Sequence, residues 1–118
     1  MEIKYLNRNS IVIALLEEGF IASAADALDL IATASYNDAV AVVIPMDLLA
    51  PDFFSLKTGL AGELLQKFVN YRMRAAIVGD FSAFNSESLA AFIRESNRGR
   101  HVFFKNSLDE AVSLLANP

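Results

Sequence analysis

The residues best suited to chemistry lie in one short stretch, Asp52 to Gly59, directly before a helical pattern. It offers a carboxylate, two hydroxyls, an ammonium group and a glycine, on Asp52, Ser55, Thr58, Lys57 and Gly59. The first N–H groups of a helix are free and its dipole attracts anions, while glycine allows a ligand to approach closely. The stretch therefore predicts a site for a phosphate, a carboxylate or a phosphorylated Thr58. The alternative is that Ser55 or Thr58 only caps the helix.

Lys57-Thr58-Gly59 has the composition of a phosphate-binding loop but not its order. A P-loop places glycine before Lys-Thr and another glycine further upstream, so that backbone N–H groups surround the phosphates. Here the glycine follows the threonine. Nucleotide hydrolysis at this position is therefore excluded.

Three aspartates are expected near the carboxyl ends of parallel strands, where ligands gather in α/β sheets. Asp47, Asp52 and Asp80 could supply acid–base groups or bind Mg²⁺ there. The alternative is that they cap helices or stabilise turns. If Asp52 and Asp80 meet Lys57 and Thr58 around one pocket, the domain binds or hydrolyses a small molecule.

Basic residues cluster late in the chain, at Arg94, Arg98, Arg100 and His101. Arg94 and Arg98 are one helical turn apart and can share a face. They form either a patch for an anion or acidic partner, or a helix end that favours cations. The single histidine excludes a site with several histidine ligands and shows no triad partners in the sequence.

The chain is rich in apolar residues: 54% of its 118 residues are hydrophobic and 20% are charged. A typical domain has about 45–50% apolar residues, and a chain of this length has a limited interior. Part of the apolar surface is therefore expected in an interface. This favours a homodimer, with a different protein as the other partner to consider.

Charge and cysteine content exclude several classes. A net charge of −4 gives no attraction to nucleic acid or anionic lipid. The chain has no cysteine, which excludes disulfides, thiolate metal sites and a cysteine nucleophile. We expect neither a metal nor a cofactor.

The N-terminus lacks the basic start and apolar run of a signal peptide. The longest apolar stretch, Ala39 to Met46, is far shorter than the ~20 residues that cross a membrane. We therefore expect a cytoplasmic protein.

Hydrophobic periodicity and turn residues predict one α/β domain over residues 1–118, with the order ββαβαβαβα. The first two strands, Glu2–Leu6 and Ile11–Leu16, pair antiparallel because only Asn7 to Ser10 separates them. The remaining strands alternate with helices, which predicts mostly parallel pairing in a mixed five-stranded sheet with four or five helices. Helix caps are predicted at Ser23, at Asn85 or Ser86, and at Ser107, with a left-handed stop at Gly99. Phe53 and Phe54 are expected on a loop, available to a partner.

This order, with Leu56-Lys57-Thr58-Gly59-Leu60 opening the second main helix, resembles the STAS domain of bacterial anti-sigma-factor antagonists. In that family an acidic-Ser-Ser-Gly-Leu motif occupies this place, and the serine before the glycine accepts a phosphate in switchable members. The resemblance places Thr58 at the phosphoacceptor position. Leu56 and Lys57 depart from the motif, where the family has an acidic residue and its first serine.

The chain also resembles an uncharacterised bacterial family described as a domain of unknown function (DUF4180). The segments that carry this resemblance span nearly the whole chain: 51–54, 56–59, 61–63, 76–81 and 95–99. The resemblance implies a fold but no activity. The sequence therefore favours a non-enzymatic regulatory or protein-interaction domain that presents Asp52 to Thr58 and Gly59.

Overall fold

A computed structural model describes residues 1–117 and contains one mixed sheet with the strand order β1-β2-β3-β4-β5. Its strands are β1 (Glu2–Arg8), β2 (Ile11–Glu18), β3 (Ala39–Pro45), β4 (Arg74–Val78) and β5 (Val102–Lys105). The α-helices of the described chain are α1 (Ala24–Tyr36), α2 (Leu60–Asn70), α3 (Glu87–Arg98) and α4 (Leu108–Leu115). Short 3₁₀ helices lie at Met46–Leu48, Pro51–Phe54, Leu56–Thr58 and Phe81–Ala83.

The strand pairing confirms the predicted fold class. β1 pairs antiparallel with β2, whereas β2, β3, β4 and β5 are parallel neighbours. Asn9 and Ser10 connect β1 to β2 with φ values of 52° and 63°. Positive φ at both central residues is the geometry of a two-residue turn whose twist matches the flanking strands.

The sheet has three helices on one face and one on the other. Consecutive right-handed crossovers between neighbouring parallel strands place α1, α2 and α3 on the same face. Their buried side chains form one core, whose members include Leu30, Leu64 and Leu89. The smaller second core lies under α4, around Phe103 and Leu115. None of the helices within residues 1–117 is long and apolar enough to cross a membrane.

Local capping signals in the sequence predict most helix starts correctly. Ser23 accepts a hydrogen bond from the N–H of Asp26, whose carboxylate accepts one from the Ala22 N–H. Ser86 and Ser107 cap α3 and α4 in the same way. The prediction for Gly99 is wrong: its φ of −82° and ψ of −167° are extended, and its N–H bonds to the Ser96 carbonyl.

Arg74 fastens the end of α4 to the sheet. Its guanidinium donates to the carbonyls of Leu115 at 3.1 Å and Arg100 at 2.9 Å, and lies 5.5 Å from the Phe103 ring centroid. The C-terminal carbonyls of a helix carry partial negative charge, so a cation stabilises them. Burial lowers the pKa of Arg74 from its ordinary value, but arginine remains charged in proteins.

Candidate functional site

The hydroxyl of Thr58 holds together the loop before α2. Its oxygen lies 2.7 Å from the Asp52 carbonyl oxygen and 2.9 Å from the Ser55 carbonyl oxygen, which share its one proton. The same oxygen accepts a hydrogen bond from the Leu60 N–H at 3.2 Å. Thr58 is exposed to solvent, and its hydroxyl is engaged in these contacts. The N-cap residue of α2 is Gly59, which has no side-chain cap hydrogen bond, so Thr58 stabilises the turn that leads into the helix.

Gly59 makes the turn into α2 with a φ of +79°. This left-handed conformation suits glycine, because a Cβ at this φ would be crowded by the local backbone of the same residue. A Cβ at Gly59 would meet nothing within 4 Å, so the space in front of the helix start is open. The backbone conformation, and not a close neighbour, requires glycine here.

Lys57 is exposed and lines a shallow depression of about 330 Å³ together with Ser55, Ser86 and Phe54. Asp52 is also exposed, on the 3₁₀ helix that precedes it. Of the predicted stretch, Ser55 and Lys57 line this open depression, whereas Asp52, Thr58 and Gly59 are exposed but are not part of its lining.

The expectation for Phe53 and Phe54 is wrong, because both rings are buried. Phe53 is 1% exposed and Phe54 is 7% exposed. Phe53 packs edge-on against Phe54 at 5.0 Å between ring centroids. The segment is a 3₁₀ helix that closes the end of the core between β3 and α2. The segment expected to be an exposed loop is therefore a buried aromatic plug at the end of the core.

An apolar groove of about 420 Å³ lies beside this plug, at the carboxyl ends of β2 and β3. We call it the carboxyl-edge groove; its lining is Phe20, Met46, Asp47, Leu49, Pro51, Phe54 and Phe84. Phe20 is 55% exposed and Phe84 is 36% exposed. Phe84 stacks on Phe54 with 4.8 Å between centroids and 17° between planes. The groove thus joins two exposed aromatic rings to the buried core.

The walls of the carboxyl-edge groove are fixed by backbone contacts. Ile21 donates to the Leu48 carbonyl at 2.8 Å, and Ala50 donates to the Ile21 carbonyl at 2.9 Å. Gly79 fits against Met46, because a Cβ at Gly79 would come within 2.5 Å of the Met46 Cβ. The groove is therefore preformed, and Met46 holds its place because residue 79 has no side chain.

Asp80 lies in a different depression, of about 380 Å³, with Ser82, Lys105, Asn106 and Glu110 in its lining. Its carboxylate accepts hydrogen bonds from the hydroxyl and the N–H of Ser82, which lower its pKa from the ordinary value. Lys105 and Glu110 form an ion pair at 3.6 Å. The residues of the small-molecule alternative are thus divided: Lys57 lines one depression and Asp80 lines another, and neither lining includes Asp52 or Thr58.

The basic residues are spread over the end of α3. Arg98 pairs with Glu95 at 3.0 Å, and both side chains are more than two-thirds exposed, at 74% and 72%. Arg94 and Arg100 are exposed. His101 bonds through Nε2 to the Phe68 carbonyl at 3.0 Å, a contact that positions the ring within the fold. In residues 1–117, no group of three histidine, aspartate or glutamate side chains could hold a metal ion.

Sequence reasoning missed the carboxyl-edge groove, because Phe20, Met46 and Phe84 are far apart in the chain. One signal was available: each follows a strand, and the carboxyl ends of parallel strands meet at one edge. Asp47 was placed at this edge and is found there.

In a comparison with protein families, the family described as "Domain of unknown function (DUF4180)" matches residues 6–115. No curated protein and no solved structure matches the chain.

Proposed function

Because that match covers most of its length, the chain belongs to the DUF4180 family, and we propose that it is a regulatory protein-interaction module of the cytoplasm. Its docking site is the carboxyl-edge groove. The partner inserts an apolar side chain between Phe20 and Phe84. Thr58 regulates the docking from the neighbouring loop.

The observation that carries this proposal is the exposure of Phe20 and Phe84, at 55% and 36%, in the lining of one apolar groove. Contiguous exposed apolar surface is uncommon and marks binding sites. Aromatic rings and methionine are enriched where proteins meet, and a few buried aromatic anchors supply most of the affinity. A ring or branched aliphatic side chain of the partner would displace water from both phenylalanines.

The groove also indicates the charge of the partner segment. Asp47 is exposed in its lining, and Asp52 is exposed on the 3₁₀ helix beside Pro51. Carboxylates at the rim of an interface favour cations and disfavour like charge. We therefore expect an apolar anchor flanked by lysine or arginine.

The contacts of Thr58 suggest how docking is controlled. Its one hydroxyl proton is shared between the carbonyls of Asp52 and Ser55, on either side of Phe54 in the chain. A phosphate ester has no such proton, so phosphorylation removes this bond and adds nearly two negative charges at pH 7. The segment Pro51–Phe54, which forms one wall of the groove, is then held less firmly. The STAS resemblance, which places Thr58 at a phosphoacceptor position, supports the same role.

The proposal is tested with peptides selected from a random phage-displayed library on the purified chain. The best peptides are synthesised, and their affinity is measured by calorimetry against the wild type and Phe20→Ser. We expect sequences with an apolar anchor and nearby basic residues. Losing a central aromatic contact should weaken binding about tenfold or more.

Tyr71→Ser is the matched control, since Tyr71 is also an exposed aromatic residue, at 61%, but lies beyond α2 away from the groove. Its peptide affinity should equal that of the wild type. Amide NMR shifts should change around Met46 and Phe84 and not around Lys105. Peptides that bind Phe20→Ser as tightly as the wild type would contradict the docking site.

Regulation is tested separately with genetically encoded phosphothreonine at position 58. We expect weaker peptide binding than in the unmodified chain, because the groove wall loosens and negative charge is added. Equal affinity of the two forms would reject the switch and leave the docking site standing.

A further inference from the structure

One edge of the sheet is blocked by a side chain, whereas the other edge is open. At the β5 edge, the side chain of Asn97 accepts from the Phe104 N–H at 2.8 Å and donates to the Phe104 carbonyl at 3.1 Å. The amide thus takes the place of a neighbouring strand and blocks that edge. β1 forms the other edge over seven residues, Glu2 to Arg8. Unprotected edge strands readily pair with another strand.

The hairpin determines which backbone groups of β1 face outward. Arg8 pairs with Ile11 across the two-residue turn, and such a closing pair exchanges hydrogen bonds with its own hairpin. Alternation along the strand then directs the backbone N–H and C=O groups of Leu6 and Lys4 towards β2. Those of Ile3, Tyr5 and Asn7 point to the outer edge. The Asn7 carbonyl accepts a bond from the guanidinium of Arg8 at 3.0 Å, so it is not bonded to β2; pairing with a second copy would replace this contact.

We propose that β1 pairs antiparallel with β1 of a second copy of this chain, about a two-fold axis at Tyr5, to form a continuous sheet across a homodimer. In this register Tyr5 lies opposite Tyr5 of the second copy, and Ile3 lies opposite its Asn7. The backbone N–H and C=O groups of all these residues point to the outer edge. Each opposite pair exchanges two hydrogen bonds, so the three pairs supply about six interchain hydrogen bonds.

Charge complementarity selects this register. Side chains directly opposite in a sheet lie on the same face, so Glu2 meets Arg8 of the second copy at both ends of the interface. Shifting the pairing by two residues gives two alternative registers. One places Lys4 opposite Lys4 of the second copy, and the other places Lys4 opposite its Arg8. Both alternatives bring cations together, and a shift of one residue sends the side chains to the wrong faces.

Two further features fit this arrangement. Glu2 lies opposite Glu18 within the hairpin, where two like charges meet at a register shift. Arg8 of the second copy neutralises Glu2 from its other side. On the same face Leu6 is only partly buried and lies in a groove of about 430 Å³ beside α4. The apolar stem of Lys4 from the second copy covers this leucine in the proposed register.

The first test is a charge exchange, measured by light scattering and sedimentation from micromolar to millimolar concentration. The wild type should reach twice the chain mass of 12.9 kDa. Arg8→Glu should weaken association about tenfold, because attraction becomes repulsion at two symmetric positions. The double variant Glu2→Arg with Arg8→Glu should restore it. A monomeric wild type, or a double variant no better than the single, would overturn the proposal.

The second test measures the register, using single cysteines in a chain that has none of its own. Tyr5→Cys should form a disulfide-linked dimer on mild oxidation, because residues opposite in a hydrogen-bonded pair are about 5.5 Å apart at Cα. Lys4→Cys is the control: its copies would be diagonal neighbours, about 7–8 Å apart, beyond the reach of a disulfide. Crosslinking of Lys4→Cys instead of Tyr5→Cys would place the axis elsewhere and reject this register.

Discussion

The contribution of the Thr58 hydroxyl to stability can be measured separately from its proposed regulatory role. Its oxygen serves the Asp52 and Ser55 carbonyls and the Leu60 N–H. Thr58→Val keeps the shape of the side chain and removes all three contacts. We expect a loss of about 1 kcal/mol in the free energy of unfolding, measured by urea denaturation. Thr58→Ser keeps the hydroxyl and should stay much closer to the wild type; equal losses in both variants would show that the hydroxyl does not matter.

Asp80 allows a test of a single hydrogen bond. The Ser82 hydroxyl is the main cause of the lowered pKa of Asp80, followed by the Ser82 N–H. Ser82→Ala should therefore raise the pKa of Asp80 towards its ordinary value, observed by NMR titration of the carboxyl carbon. Ser82→Thr retains the hydroxyl and should retain the lowered pKa.

The sign of the corresponding effect on stability follows from linkage. A folded-state pKa below the unfolded value stabilises the fold above the unfolded pKa, and this contribution disappears as the pH falls through the folded pKa. Ser82→Ala should thus make unfolding less sensitive to acid in that range. An unchanged Asp80 titration in Ser82→Ala would mean that the N–H of Ser82 alone lowers the pKa.

Among the elements, α4 has its C-terminal end bonded to an arginine of the neighbouring sheet. Arg74 bonds the carbonyls of Leu115 and Arg100 and lies over Phe103. Arg74→Met keeps an apolar stem but leaves the helix end without its cation. We expect a loss of about 1–2 kcal/mol and faster hydrogen exchange in α4 than in α2. Arg94→Met, at an exposed position on α3, is the control; similar exchange in both variants would contradict this role.

Elements determined by near neighbours in the chain were predictable, and those determined by tertiary contacts were not. Ser107 and Glu110 signal a helix start within four residues, and the structure has it there. Phe53 and Phe54 follow Pro51 and look like a loop, but long-range packing against Phe104 and Phe84 buries them. The start of α2 was located from sequence, whereas the carboxyl-edge groove was not, because Phe20 and Phe84 line the same groove only in the fold.

For the molecule as a whole, the uneven distribution of helices explains where apolar surface remains. Three helices cover one face of the sheet, and α4 alone covers part of the other. Leu6 and Leu15 are consequently only partly buried beside the open edge of β1. The apolar composition predicted a homodimer but not its location, since the edge and its register depend on the hairpin turn. Dimerisation stays a prediction, and the outer edge of β1 is the surface proposed for it.

This surface leads to a prediction about thermal unfolding. If folding is coupled to association through β1, the unfolding midpoint rises with protein concentration, because binding that is specific to the folded state stabilises it by mass action. We expect this dependence in the wild type and in the Glu2→Arg, Arg8→Glu double variant, measured by calorimetry over a wide concentration range. The single variant Arg8→Glu should show the same rise only at about tenfold higher protein concentration, because its association is weaker. A dependence that persists undiminished in Arg8→Glu would assign association to another face, and its absence in the wild type would show that the chain unfolds as a monomer.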